Sequence, residues 1–144
     1  MRSVHCAMVA LIAIALPLSG CKQQAAPQKD HPATLAESGV KGIMKVTLTA
    51  RAVERIGLET TQVREEQVGT EMHKVVPYGA IMYDKKGETW TFTNPEPLVF
   101  VRQHIAVHSI DGDRVVLAEG PPTGTAVVTV GAAELMGVEH KYGH

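Results

Sequence analysis

The chain has 144 residues and a formal net charge of −1, with 44% hydrophobic, 20% charged and 4% aromatic side chains. That composition fits one folded domain. It offers no long basic run and few rings for stacking, so nucleic acid is not an expected partner. An α/β catalytic domain needs strands alternating with helices, and this pattern lacks them.

The first segment reads as a targeting signal. Arg2 supplies the positive start, and Cys6 to Leu18 is an apolar run broken only by Pro17. The run is short for a membrane span and ends in small residues. Its close, Leu18-Ser19-Gly20-Cys21, resembles the lipobox of bacterial lipoproteins, which implies cleavage after residue 20 and lipid on Cys21. With Cys6 removed and Cys21 acylated, no thiol is left for a disulfide. Several acyl chains hold firmly where one is marginal. The expected location is the periplasmic face of a bacterial membrane, and Lys22 after the cysteine, by resemblance to enterobacterial lipoprotein sorting, implies the outer one.

Residues 21–44 form the expected anchor and flexible linker. KQQAAPQKDHPATLAESGVKGIM is rich in Gln, Ala, Pro, Ser and Gly and shows no apolar period. Those twenty-three residues stretch to roughly 75 Å and relax to about 27 Å.

From Lys45 the pattern becomes that of strands. Val46 and Leu48 alternate with polar residues. Thr49 is placed to cap a short helix, Ala50 to Ile56, with Gly57 as its stop. Leu58 to Arg64 and Glu71 to Val76 read as further strands. Tyr78 to Tyr83, the turn Asp84-Lys85-Lys86-Gly87, and Glu88 to Thr93 read as a hairpin with Gly87 left-handed. Asn94-Pro95-Glu96-Pro97 is expected to break the sheet. Leu98 to Ile110 reads as one long strand, with Val99, Val101, Ile105 and Val107 on one face. Asp111-Gly112 turns the chain into Arg114 to Leu117. Ala126 to Val130 is a last strand and Ala132 to Met136 a single helical turn. The expected domain is therefore mostly β, residues 45–139, a small closed or partly open β-barrel with one or two short helices. Residues 140–144 are expected to be a disordered tail.

Four stretches then resemble a known family. VPYGAIMYDKKGETWTF, PLVFVRQHIAV, DGDRVVL and AVVTVGAAELMGVE are similar to the periplasmic adaptor, or membrane-fusion, subunits of RND-type efflux pumps, heavy-metal-efflux adaptors above all. The resemblance implies the membrane-proximal β domain, which sits against the pump. VTLTARAVERIGLETTQV resembles the start of the adaptors' folded part. The likeness spans residues 45–64 and 75–139. Adaptors place a lipoyl-like domain and usually a helical hairpin between these segments, whereas here only Glu65 to Lys74 intervenes. The chain thus resembles an adaptor reduced to one domain, and the family's N-terminal metal-binding methionines have no counterpart beyond Met44.

Candidate chemistry is sparse. On one strand, His104 and His108 would lie about 13 Å apart, too far for one zinc ion, and would share a solvated face with Arg102. Met72 and His73 would point to opposite faces. Asp111 and Asp113 flank Gly112 without the further ligands of a calcium loop. Turn register pairs Met82 with Trp90 and Ala80 with Phe92, which predicts one core holding Met82, Trp90 and Phe92. A thioether beside an indole also occurs in soft-metal sites, so Met82 is a weak metal candidate, with His140 and His144 in the tail. No catalytic dyad, triad or phosphate loop is visible, so neither an enzyme nor a cofactor is expected, and no small-molecule substrate. The expected function is a lipid-anchored accessory module of an efflux system, partnered with the membrane and with a pump or its adaptor. Alternatives are a periplasmic carrier of copper, silver or zinc, and a non-functional adaptor remnant.

Overall fold

A computed structural model of the chain describes residues 31–142. The signal, Cys21 and His144 lie outside them. The chain is mostly β, as expected, but the strands do not close into a barrel. They form two antiparallel sheets, each with free edges. A barrel needs an unbroken ring of strand pairing, and here the chain leaves one sheet for the other at buried apolar residues.

The first difference comes early. Strand β1 (Ala33–Glu37) lies inside the expected linker and pairs with β2 (Met44–Leu48) from Ala33↔Leu48 to Glu37↔Met44. Its burial alternates weakly, and only Ala33 and Leu35 pack against the core. Helix α1 (Ala50–Ile56) keeps its expected bounds. Thr49 accepts the Ala52 N–H through its side chain, and Gly57 stops the helix at φ +63°. A left-handed stop favours glycine because a Cβ would clash there.

Next come β3 (Glu59–Gln62), β4 (Arg64–Val68) and β5 (Glu71–Pro77). The expected strand from Leu58 to Arg64 is thus split at Val63, which is 1% exposed and marks the step from the first sheet to the second. After β5 a 3-10 turn, Tyr78–Ala80, carries the chain back. A Cβ on Gly79 would stand 2.8 Å from the Thr129 carbonyl oxygen, so this close approach requires glycine.

The Asp84–Gly87 turn and its register form as expected, but the strand expected over Tyr78 to Tyr83 is reduced to its last two residues, because the 3-10 turn takes up its first three. Strands β6 (Met82–Tyr83) and β7 (Thr89–Glu96) pair Met82↔Trp90 and Tyr83↔Thr89, and Gly87 is left-handed at φ +82°. Asn94-Pro95 does not break the sheet, since β7 runs on to Glu96. The turn falls at Pro97-Leu98, where Asn94 Nδ2 donates to the carbonyls of Glu96 at 2.7 Å and Val99 at 2.8 Å.

The expected long strand is two strands, β8 (Val99–His104) and β9 (Ala106–Asp111), divided at Ile105. Ile105 is fully buried, and its N–H donates to the Thr89 carbonyl at 3.0 Å. The face of β8 also differs. Phe100, 2% exposed, is the core residue, while Val99 and Val101 are half-buried on the other side. Strands β10 (Arg114–Glu119) and β11 (Ala126–Val130) follow.

Helix α2 (Ala132–Tyr142) is far longer than one turn, so His140 belongs to a helix and not to a loose tail. Ala132, Leu135 and Glu139 are all buried and recur at helical spacing.

The first sheet runs β1-β2-β8-β7-β11-β3, with β6 beside β7, and the second β4-β5-β10-β9. Two cores result where one was expected. The first joins Val46, Leu48, Phe92, Phe100 and Val128 to the helices through Ala52 and Leu135. The second lies between sheets, with Val127 of β11 against Val76, Val115 and Leu117. Ala80 belongs to this second core, so it does not face Phe92. Burying a side chain such as Phe92 contributes roughly 1.5–3 kcal/mol.

Candidate functional site: an open groove at Trp90 and Arg102

In the β7–β8 register Trp90 faces His104 and Phe92 faces Arg102. Side chains two apart on a strand share a face, so all four stand on the helix side of the first sheet. Phe92 is fully buried and Met82 packs against the same core, while Trp90, near the start of β7, is only half-buried and lies outside the core expected to hold it. The indole is instead held by polar neighbours. Its Nε1–H donates to Asp84 Oδ2 at 3.2 Å. The Arg102 guanidinium carbon lies 4.2 Å from the ring centroid, and His104 meets the ring edge-on at 5.1 Å. A cation over an indole face contributes about 0.5–2 kcal/mol, more as water is removed.

Arg102 was expected on a solvated face, yet its side chain is only 10% exposed. Glu139 of α2, 4% exposed, meets it, with Nε to Oε2 at 3.0 Å and Nη2 donating to Oε1 at 3.3 Å. The Nε–Oε2 contact is misaligned, so it is an ion pair and not a full hydrogen bond. The Met44 N–H also donates to Glu139 Oε1, at 3.1 Å. One carboxylate therefore joins α2, β8 and the start of β2. Buried pairs add little net stability, but losing one partner is costly.

Asp84 organises the adjoining turn. Its Oδ1 accepts the N–H groups of Lys86 at 2.8 Å and Glu88 at 3.0 Å. Desolvation pushes its pKa up, but the Glu88, Lys86 and Trp90 hydrogen bonds and the Lys86 charge outweigh that. The carboxyl is held below its ordinary value of 3.8.

These parts border an open groove of about 670 Å³, walled by the Val40–Ile43 turn, the Asp84–Lys86 turn, Trp90, Arg102–His104 and His140. Three lysines, Lys41, Lys85 and Lys86, stand at it. Arg102 is balanced by Glu139, and the carboxylates of Asp84 and Glu88 face the three lysines, so charges of both signs border the groove. The arrangement offers charged and polar groups of both signs around a half-buried indole.

The sequence candidates are dispersed. Met82 is in the first core while His140 lines the groove, its Nδ1–H donating to the Met136 carbonyl at 2.9 Å. His104 also lines the groove, whereas His108 is in the second sheet. Among the described residues no group of three or more His, Cys, Asp or Glu side chains is arranged to hold a metal ion. Among them, too, no helix is long and apolar enough to cross a membrane. Glu139 was missed by sequence reasoning, although its spacing from Ala132 and Leu135 was the available signal. No family model matches the chain, and no curated protein or solved structure matches it at a significant level.

Proposed function

We propose that the chain is a lipid-anchored periplasmic interaction module that works with an RND-type efflux assembly and is not an enzyme. The observation that carries the reading is the Trp90–Arg102–Glu139 groove. It is assembled from separate elements, open, and centred on a tryptophan and an arginine, residue types enriched at protein interfaces. The resemblance of residues 45–64 and 75–139 to the adaptor β domain supports the choice of partner, a pump or its adaptor. The LSGC ending at Cys21 supports the anchor.

The test uses two changes to the full-length chain. Cys21→Ser should release the protein from the membrane fraction or leave its signal uncleaved. A photo-crosslinking residue at Val40, exposed at the groove, should give an adduct with a pump or adaptor subunit. A crosslinker at Met72, on the other sheet, should not. Processed, membrane-bound Cys21→Ser protein would refute the anchor. Equal adducts from both crosslinker positions, or none from Val40, would refute groove docking.

A further inference from the structure

The second sheet carries a pair of histidines separate from the groove. His73 lies on β5 and His108 on β9, with β10 between them. Strands two apart in a sheet are separated by roughly 9.5 Å. The two imidazole centroids nevertheless stand 5.5 Å apart, their planes 16° from parallel.

Two bulges accompany this approach. Val116 faces Ser109 and Leu117 faces Val107, so His108 is the extra residue on β9. Leu117 faces Val107 and Glu119 faces Ala106, so Ala118 is the extra residue on β10. A bulge breaks the pairing locally and re-aims a side chain. Extending the β5–β10 register one step beyond Leu117↔Lys74 sets Ala118 beside His73. A methyl group, rather than a long side chain, thus occupies the strand between the two rings.

One carboxylate adjoins the pair, and a second is already neutralised. Glu71 Oε2 lies 3.6 Å from His73 Nε2, close enough to become a hydrogen bond after a small rotation. Glu66 stands opposite His73 across β4–β5 and is held by Arg114 at 2.8 Å. Imidazole nitrogens suit zinc, copper(II) and nickel(II). Two imidazoles bound to one tetrahedral ion at 2.0–2.1 Å have centroids roughly 5–6 Å apart, which is the separation found here. The stacked rings must turn so that the ion lies in each ring plane. His108 is exposed and free to do so, and the His73 side chain is 22% exposed.

We propose that His73 and His108 form a binding site for a divalent transition-metal ion, with water completing the coordination. Glu71 acts from the outer shell, accepting from one nitrogen of His73 and leaving the other for the metal. The site spans β5 and β9 and stands independently of the docking reading.

Calorimetric titration of Zn²⁺ into metal-free, full-length protein tests it. His73→Gln and His108→Gln are compared with His104→Gln and His140→Gln, circular dichroism confirming that each variant folds. One Zn²⁺ per chain is expected. Its affinity should fall by about 10-fold or more in each of the first two variants and stay unchanged in the others. In the unmodified protein the imidazole ¹⁵N resonances of His73 and His108 should shift on adding Zn²⁺, a readout that survives even if a variant misfolds. The proposal is overturned if these resonances do not move, or if the affinity survives loss of both histidines.

Discussion

The two helices are built on different principles. Helix α1 has seven residues, one of them buried, and is framed by Thr49 and Gly57, which act within one turn of the backbone. Helix α2 has eleven residues, carries Gly137 in its interior, and depends on Leu135 in the first core and Glu139 on Arg102. An isolated helix of either length is marginal in water. Local caps mark out the first, and distant contacts sustain the second. The contrast separates what neighbouring residues encode from what only the folded domain supplies.

The strongest way to break the contrast is to remove the distant contact. Glu139→Ala leaves Arg102 nine-tenths buried without its partner and should cost about 3–5 kcal/mol in urea unfolding. Replacing the pair together, Arg102→Met with Glu139→Leu, should recover most of that loss. A small effect from Glu139→Ala alone would mean that α2 does not rely on the pair.

The local half of the contrast predicts a smaller change. Thr49→Ala removes the side-chain acceptor for the Ala52 N–H and should cost about 1 kcal/mol. A loss as large as that of Glu139→Ala would show that Thr49 has a tertiary role as well, and the two helices would no longer differ in kind.

The smallest effect has the opposite sign. Gly137 lies inside α2, and a Cβ there would meet nothing within 4 Å. Gly137→Ala should therefore raise stability by about 0.5–1 kcal/mol, seen as a higher thermal midpoint. If stability falls, the interior of α2 needs glycine for a reason its open surroundings do not reveal.

The same division explains how much of the fold was legible in the sequence. Thr49, Gly57 and the Asp84–Gly87 turn act through near neighbours, and helix α1 and the register across the turn formed where expected, although the strand before the turn is shorter. Strand β1 has almost no apolar signal, because it is a half-exposed edge secured by pairing to β2. Alternation continued through Ile105, so the sequence read as one strand. Only the second core, where Ile105 is fully buried, reveals the break. The groove was partly visible in the Trp90 hairpin. Arg102 looked solvated because the carboxylate that neutralises it lies 37 residues away on α2. The His73–His108 approach was hidden for the same kind of reason, since it depends on bulges that periodicity does not mark.

The outermost strand of the first sheet, β3, sets an order on assembly. Its one neighbour in that sheet is β11, from Gln62↔Ala126 to Glu59↔Val130. During synthesis β3 is made long before β11, and its backbone donors and acceptors must remain solvated or pair wrongly in the interval. The hairpins of the second sheet, β4–β5 and β9–β10, each join consecutive strands and can close as soon as they emerge. Nascent chains ending before residue 126 can thus hold those hairpins but not a finished first sheet, so this edge of the domain closes only after Ala126–Val130 has been made.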